Sequence, residues 1–243
     1  MILAQNLSKQ YPDGTKGLDA LNVKIEQGEF VAIIGRSGAG KSTFLRQVNG
    51  TILPTDGKLE VLGCKVREAS LYEIKKLRRH IGFIFQQFNL VKSLTVMENV
   101  LIGRLGYHGD VGGSMGLFTD EDKNLARHYL QEVGLDGRFN SRADQLSGGQ
   151  QQRVAIARAL VQDPKIILAD EPMASLDPKL SEVVLDLLKL FNEKKKITVI
   201  VNIHVLELAK KYATRIIGLK AGRLIYDGPI DGLTDEKLRL IYD

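Results

Sequence analysis

Three short apolar runs stand out from an otherwise mixed chain: Phe30 to Ile34, Ile166 to Ala169, and residues 197–201. Each is rich in β-branched residues or leucine, and each is followed at once by polar residues or glycine. Runs of this kind predict strands buried on both faces of a parallel sheet. Ahead of them Leu21, Val23 and Ile25 alternate with polar residues, the period of a half-buried strand, and Pro12-Asp13-Gly14 supplies a turn before it. Elsewhere the period lengthens. Leu180, Val183, Val184, Leu187, Leu188 and Phe191 fall on one helical face, opened by Asp177 as N-cap and Pro178 at the first helical position. Strands alternating with helices predict an α/β fold, whose ligands bind just beyond the carboxyl ends of the strands.

Composition narrows the class. The 243 residues are 44% hydrophobic and 26% charged, enough for an ordinary globular core. No stretch approaches the roughly 18 apolar residues that would cross a bilayer, and Met1-Ile2-Leu3-Ala4-Gln5 lacks the basic and apolar regions of a secretory signal. The single cysteine, Cys64, excludes an internal disulfide and a multi-cysteine zinc site and suits a reducing cytosol. The net charge of +5 suits a polyanionic ligand. Its short basic clusters (Lys75-Lys76-Leu77-Arg78-Arg79, Lys194-Lys195-Lys196, Lys210-Lys211) read as solvated faces of helices.

The first buried run leads into Gly35-Arg36-Ser37-Gly38-Ala39-Gly40-Lys41-Ser42-Thr43, which fits G-x-x-x-x-G-K-[ST] between a strand and a short helix carrying Phe44, Leu45 and Val48. Glycines let backbone N–H groups turn inward around phosphate oxygens, and the helix start adds partial positive charge. Lys41 would reach the β- and γ-phosphates, and the Ser42 hydroxyl would join a Mg²⁺ shell. This loop predicts a nucleoside triphosphate site.

A second anion-binding start follows at Leu146-Ser147-Gly148-Gly149-Gln150, ahead of a 151–161 segment with Val154, Ala157, Leu160 and Val161 at helical spacing. With a phosphate loop upstream, this pentapeptide resembles the signature of the ABC ATPases. The resemblance makes Asp170-Glu171, at the end of the second buried run, the Walker B pair. Asp170 would hold Mg²⁺ directly or through water, and Glu171 would be the general base that activates the attacking water. Gln86 resembles the glutamine that touches Mg²⁺ and water and senses the partner subunit; Gln87 is its neighbour, but Gln86 aligns better. Ser175-Leu176-Asp177 looks like the D-loop, with Asp177 also serving as N-cap. His204, after the third run, looks like the switch histidine on the γ-phosphate, and Tyr11 like the aromatic residue that stacks on adenine. Two departures are visible: Pro172-Met173-Ala174-Ser175 where many relatives carry small hydroxyl residues, and Val205 where an acid is frequent. Neither removes a catalytic group.

The resemblance covers essentially the whole chain and is closest to the ATPase subunits of phosphonate importers. It is carried by Ile81-Gly82-Phe83-Ile84-Phe85-Gln86-Gln87-Phe88-Asn89-Leu90-Val91, Gln145-Leu146-Ser147-Gly148-Gly149-Gln150-Gln151-Gln152-Arg153 and Ala169-Asp170-Glu171-Pro172, with Arg215-Ile216-Ile217-Gly218-Leu219-Lys220-Ala221-Gly222-Arg223 downstream. It implies a single P-loop NTPase cassette of the ABC-ATPase fold, with a mostly parallel core sheet, an N-terminal antiparallel β subdomain and an inserted α-helical subdomain. Residues 1–88 and 162–243 would form the nucleotide-binding core with the β subdomain, and residues 89–161 the helical part. It also implies ATP and Mg²⁺ as cofactors. A second copy would form a head-to-tail sandwich in which Ser147, Gly148, Gly149 and Gln150 of one chain complete the other's phosphate site. The further partners implied are a transmembrane permease and, indirectly, a substrate-binding protein, with no nucleic acid. The expected location is the cytoplasmic face of a bacterial-type inner membrane. Segment 103–118, rich in glycine and without periodicity, reads as a mobile surface loop beside the permease. Uptake of another anion or a lipid, a soluble non-transport ABC ATPase and a P-loop kinase are the alternatives, in falling order.

Overall fold

A computed structural model describes residues 1–108, 118–174 and 176–243. The chain opens with an antiparallel pair, β1 (Ile2–Gln10) and β2 (Lys16–Ile25), turned at Pro12-Asp13-Gly14 by the Gly14 N–H donating to the Tyr11 carbonyl at 2.9 Å. Leu21, Val23 and Ile25 point inward, as their alternation predicts. Next come β3 (Phe30–Ile34), α1 (Lys41–Val48), β4 (Asp56–Val61), β5 (Cys64–Lys65), α2 (Leu71–Arg79) and β6 (Ile81–Ile84). Among the described residues three helices follow: α3 (Val96–Leu101), extended by a 3₁₀ turn over Ile102–Tyr107, then α4 (Asp120–Glu132) and α5 (Gly148–Leu160). The last part alternates β7 (Ile166–Ala169), α6 (Pro178–Lys195), β8 (Thr198–Asn202), α7 (Leu206–Tyr212), β9 (Arg215–Lys220), β10 (Arg223–Gly228) and α8 (Asp235–Tyr242).

Two sheets result. One is antiparallel, ordered β2-β1-β4-β5; the other is ordered β10-β9-β3-β8-β7-β6 and is parallel except for the β9–β10 hairpin. The three apolar runs of the sequence are therefore adjacent strands β3, β8 and β7. All five residues of β3 are buried, and they divide between two cores. Phe30, Ala32 and Ile34 join the residues of α3–α6, while Val31 and Ile33 join the antiparallel sheet through Ile2, Leu21, Val23 and Phe44. Strand side chains alternate in direction, so one five-residue strand can hold both layers. No described helix is long and apolar enough to cross a membrane.

Three expectations are corrected. The inward face of α6 is rotated by about one position. Ser181, Val184, Leu185, Leu188, Phe191 and Asn192 are buried, whereas Val183 is exposed. The reason is Asn192, whose amide donates to the Gly28 and Ile197 carbonyls at 2.8 and 2.7 Å; a polar side chain satisfied in this way can be buried in an otherwise apolar stripe. The third strand runs one residue later than the apolar run, ending on Asn202. Within segment 103–118, residues 103–108 are not a free loop. Gly103 packs so tightly that a Cβ there would lie 2.3 Å from the Arg158 carbonyl oxygen, and the Tyr107 hydroxyl donates to the Gln162 carbonyl at 2.7 Å. Residues 109–117 of that segment, and Ser175 of the D-loop, lie outside the described residues.

Candidate active site

The ends of β3, β8 and β7 lie side by side, and each delivers polar groups to the same edge. After Ile34 the chain turns through the phosphate loop into α1. Two positions in this loop admit only glycine. Gly35 has φ +147° and would place a Cβ 2.3 Å from the Leu219 carbonyl oxygen; Gly40 has φ +103° and would place one 2.3 Å from the Gly17 carbonyl oxygen. Lys41 opens α1 and is 4% exposed. Its ammonium donates to the Gly35 and Arg36 carbonyls at 2.9 and 3.0 Å, spanning the loop it follows. Burial lowers the Lys41 pKa, and the carboxylates of Glu171 and Asp170 act the other way. Ser37, Gly38 and Ala39 complete the loop, where a side chain at Gly38 would meet open space. Arg36 reaches away from the centre, its guanidinium donating to the Tyr242 carbonyl at 3.2 Å.

Asp170 follows β7 and is 8% exposed. One of its oxygens accepts the Ser42 hydroxyl at 2.7 Å and the Asn202 amide at 2.6 Å, so three elements converge on one carboxylate. Glu171 comes next, in the left-handed region at φ +49°. That turn carries its carboxylate out of the strand, where Oε1 meets Nε2 of His204, the second residue after β8. Gln86 lies two residues after β6 at the same sheet end, exposed; β6 is tied to the Walker pair by the Asp170 N–H donating to the Ile84 carbonyl at 2.9 Å. The Tyr11 hydroxyl hydrogen-bonds the hydroxyl of Thr43, in the first turn of α1, at 3.0 Å.

Other predicted residues lie apart. Ser147 caps α5, its Oγ accepting the Gln150 N–H at 3.4 Å while Gln150 Oε1 accepts the Ser147 N–H at 3.0 Å. Gly148 and Gly149 face Phe88, Leu176 and Leu180, and none of these four residues shares a hydrogen bond with residues 35–43. Asp177 caps α6 by accepting the Leu180 N–H at 3.0 Å. Asn202 escaped the sequence reading although it orients Asp170. The signal available was a polar residue closing an apolar strand, which periodicity alone does not mark as functional.

The sheet edge brings together a phosphate loop, a carboxylate pair and a histidine that follows the neighbouring strand, and the signature tetrad caps a helix apart from them. Residues 18–174 match the family described as ABC transporter. The chain belongs to the ABC transporter family. The cassette is 54% identical over 242 residues to the "Phosphonates import ATP-binding protein PhnC" of Bacillus thuringiensis subsp. konkukian (strain 97-27), covering 100% of this chain and 94% of that one. It is 52% identical to the protein of the same name from Shouchella clausii, covering 100% and 91%. Among solved structures it resembles the dimeric post-hydrolysis state of the ATP-binding cassette MJ0796 bound to ADP and Pi, at a TM-score of 0.84 and 40% identity, covering 96% of this chain and all of that one. The ABC-ATPase fold and its antiparallel and parallel sheets are therefore as the sequence resemblance implies.

Proposed function

We propose that this ABC cassette is the ATP-hydrolysing subunit of an importer that takes up phosphonate, or a related phosphorus oxyanion, through a separate membrane permease. The observation that carries hydrolysis is the placement of the Glu171 carboxylate, against His204 and directly after the Asp170–Ser42 pair. Identity over the full length to proteins named for phosphonate import supports the cargo.

In this reading the backbone N–H groups of residues 35–43 surround the β- and γ-phosphates, and Lys41 turns its ammonium from the loop carbonyls to phosphate oxygens. Glu171 takes the proton of the attacking water, and His204 fixes that carboxylate and faces the γ-phosphate. Tyr11 stacks on adenine. The hydroxyl of Ser42 and the carboxylate of Asp170, joined by the side-chain oxygen of Gln86, would form a hard oxygen set suited to Mg²⁺. Among the described residues no cluster of three or more His, Cys, Asp or Glu side chains converges on a metal. A cation held by one or two protein oxygens and completed by substrate phosphates fits that sparse donor set. Bound Mg²⁺ would neutralise charge developing on the phosphoryl oxygens.

Ser147, Gly148, Gly149 and Gln150, remote from their own chain's phosphate loop, serve the site of a second copy, with Asp177 at the same junction. The dimeric form of MJ0796 supports that arrangement. Residues 89–161 act as the helical subdomain, with residues 1–88 and 162–243 as the core. The subunit works peripherally, on the cytoplasmic face of the membrane, beneath a permease served by a substrate-binding protein. The test is ATPase activity of the cassette–permease complex in vesicles, with binding protein loaded with methylphosphonate, phosphate or sulfate. Stimulation by the phosphonate-loaded form is expected; stimulation by sulfate alone would reassign the cargo.

A further inference from the structure

Arg158 lies on α5 and is half-buried, yet among the described residues it pairs with no carboxylate. Its guanidinium instead donates to two successive carbonyls of the turn after β6, Asn89 through Nη1 at 2.5 Å and Phe88 through Nη2 at 2.7 Å. Both acceptor residues are in the left-handed region, at φ +41° for Phe88 and +49° for Asn89. Non-glycine residues rarely hold that conformation unless the surroundings enforce it. The planar guanidinium fork suits this purpose, since it can bind two carbonyls at once and stays charged when desolvated. The same turn meets α5 at its start as well, where the Phe88 ring lies against Gly148. Helix α5 therefore grips the turn at two points, at the signature glycine and at Arg158. Arg158 also lies in the wall of a groove of about 410 Å³, bounded by Arg79 of α2, Phe85, and Gly103 and Tyr107 of the 3₁₀ turn.

We propose that Arg158 is a positioning residue for ATP hydrolysis: it latches the 86–90 turn to α5, so that Gln86 and the signature end of the helix move as one body relative to the phosphate loop. The consequence for turnover rests on the role given to Gln86 above; the latch itself does not. Since the phosphate loop is built on β3 and α1, away from this latch, nucleotide capture is independent of it. Load applied in the groove reaches the signature end through the helix and the glutamine through the guanidinium.

The test uses the full chain as Arg158→Met, which keeps the length and removes both donors, and Arg158→Lys, which keeps the charge without the fork. Amide hydrogen exchange is followed with steady-state ATPase kinetics. In Arg158→Met, exchange over residues 86–91 is expected to rise about tenfold or more while residues 35–43 stay at the wild-type rate. The ATP KM is expected to stay within about twofold while kcat falls about tenfold, a split a general loss of structure would not produce. Arg158→Lys should recover only part of both losses, and it carries the same readouts should the methionine variant fail to fold. Wild-type exchange over residues 86–91, or a kcat loss matched by loss of ATP binding, would overturn the latch. A Gln86→Ala chain with normal kcat would refute only the role of the glutamine, leaving the exchange result to decide the latch.

Discussion

His204 Nε2 meets Glu171 Oε1 across the ends of the neighbouring strands β7 and β8. A carboxylate held in this way by an imidazole is oriented rather than free to rotate, as a general base for water must be. Glu171→Gln keeps the shape and removes the proton acceptor. ATP affinity should change by no more than about twofold, while turnover falls about 10²- to 10⁴-fold. With hydrolysis blocked, an ATP-bound dimer should accumulate on size-exclusion chromatography. Near-normal turnover, measured with the permease present, would remove Glu171 from that role.

Asn202 is fully buried, and its amide holds the Asp170 oxygen that also accepts the Ser42 hydroxyl. Groups that orient a metal-binding carboxylate commonly matter about 10- to 100-fold in metal affinity or activity. Asn202→Ala should therefore raise the Mg²⁺ concentration for half-maximal ATPase within that range, with Mg²⁺-free ATP binding little changed. A Mg²⁺ titration superimposing on wild type would show that Asp170 keeps its orientation unaided.

Tyr11 offers two separable contributions, a ring for adenine and a hydroxyl bonded to Thr43 at 3.0 Å. Stacking a base on an aromatic ring is worth about 1–3 kcal/mol on substitution by alanine. Tyr11→Ala should weaken ATP binding by that amount, and Tyr11→Phe should bind as wild type. Equal weakening in the two variants, measured by calorimetry, would assign the effect to the Thr43 bond instead.

The fold was legible where local chemistry and tertiary use agree. Residues 30–34 and 166–169 are strands because nothing but burial on two faces accounts for such runs, and the phosphate loop is legible because Gly35 and Gly40 occupy positions no side chain can share. Legibility failed where a polar group is buried through its own partners. Asn192 shifts the inward face of α6, and Asn202 closes β8 as a ligand to Asp170; neither shows in a hydrophobic period. It failed again at residues 103–108, whose glycines resemble a loose linker. There the glycine serves close approach of two backbones rather than freedom of the chain.

Gly103 provides the direct check on that correction. A methyl group there would meet the Arg158 carbonyl oxygen at 2.3 Å and Val161 Cγ1 at 2.6 Å, so helix α5 and the 3₁₀ turn must separate. Overpacking of this type costs about 1–3 kcal/mol. Gly103→Ala should therefore lower Tm by about 2–4 °C for each kcal/mol lost. An unchanged Tm by calorimetry would mean that the turn yields freely, as a surface loop would.

Asp122 fastens both flanks of the segment that follows that turn. Its carboxylate, 3% exposed, meets Arg104 Nε and His108 Nε2 at 2.7 Å each on one flank, and accepts the Thr119 N–H and hydroxyl at 3.2 and 3.1 Å on the other. Burial, the largest single influence, pushes the Asp122 pKa up, but Arg104, the Thr119 amide and His108 together outweigh it and leave it below the ordinary value. A carboxylate depressed in the folded state contributes stability in full above its unfolded pKa of about 3.9, and loses it as pH falls through the folded value. Asp122→Asn should thus cost about 3 kcal/mol at pH 7, the lower end for a broken buried pair because Arg104 can still reach water. The gap to wild type should close as the pH drops below about 4. Urea titrations of both chains at pH 7 and pH 3 measure it. A gap of the same size at both pH values would mean that Asp122 acts through packing and hydrogen bonding alone, without a contribution from its charge.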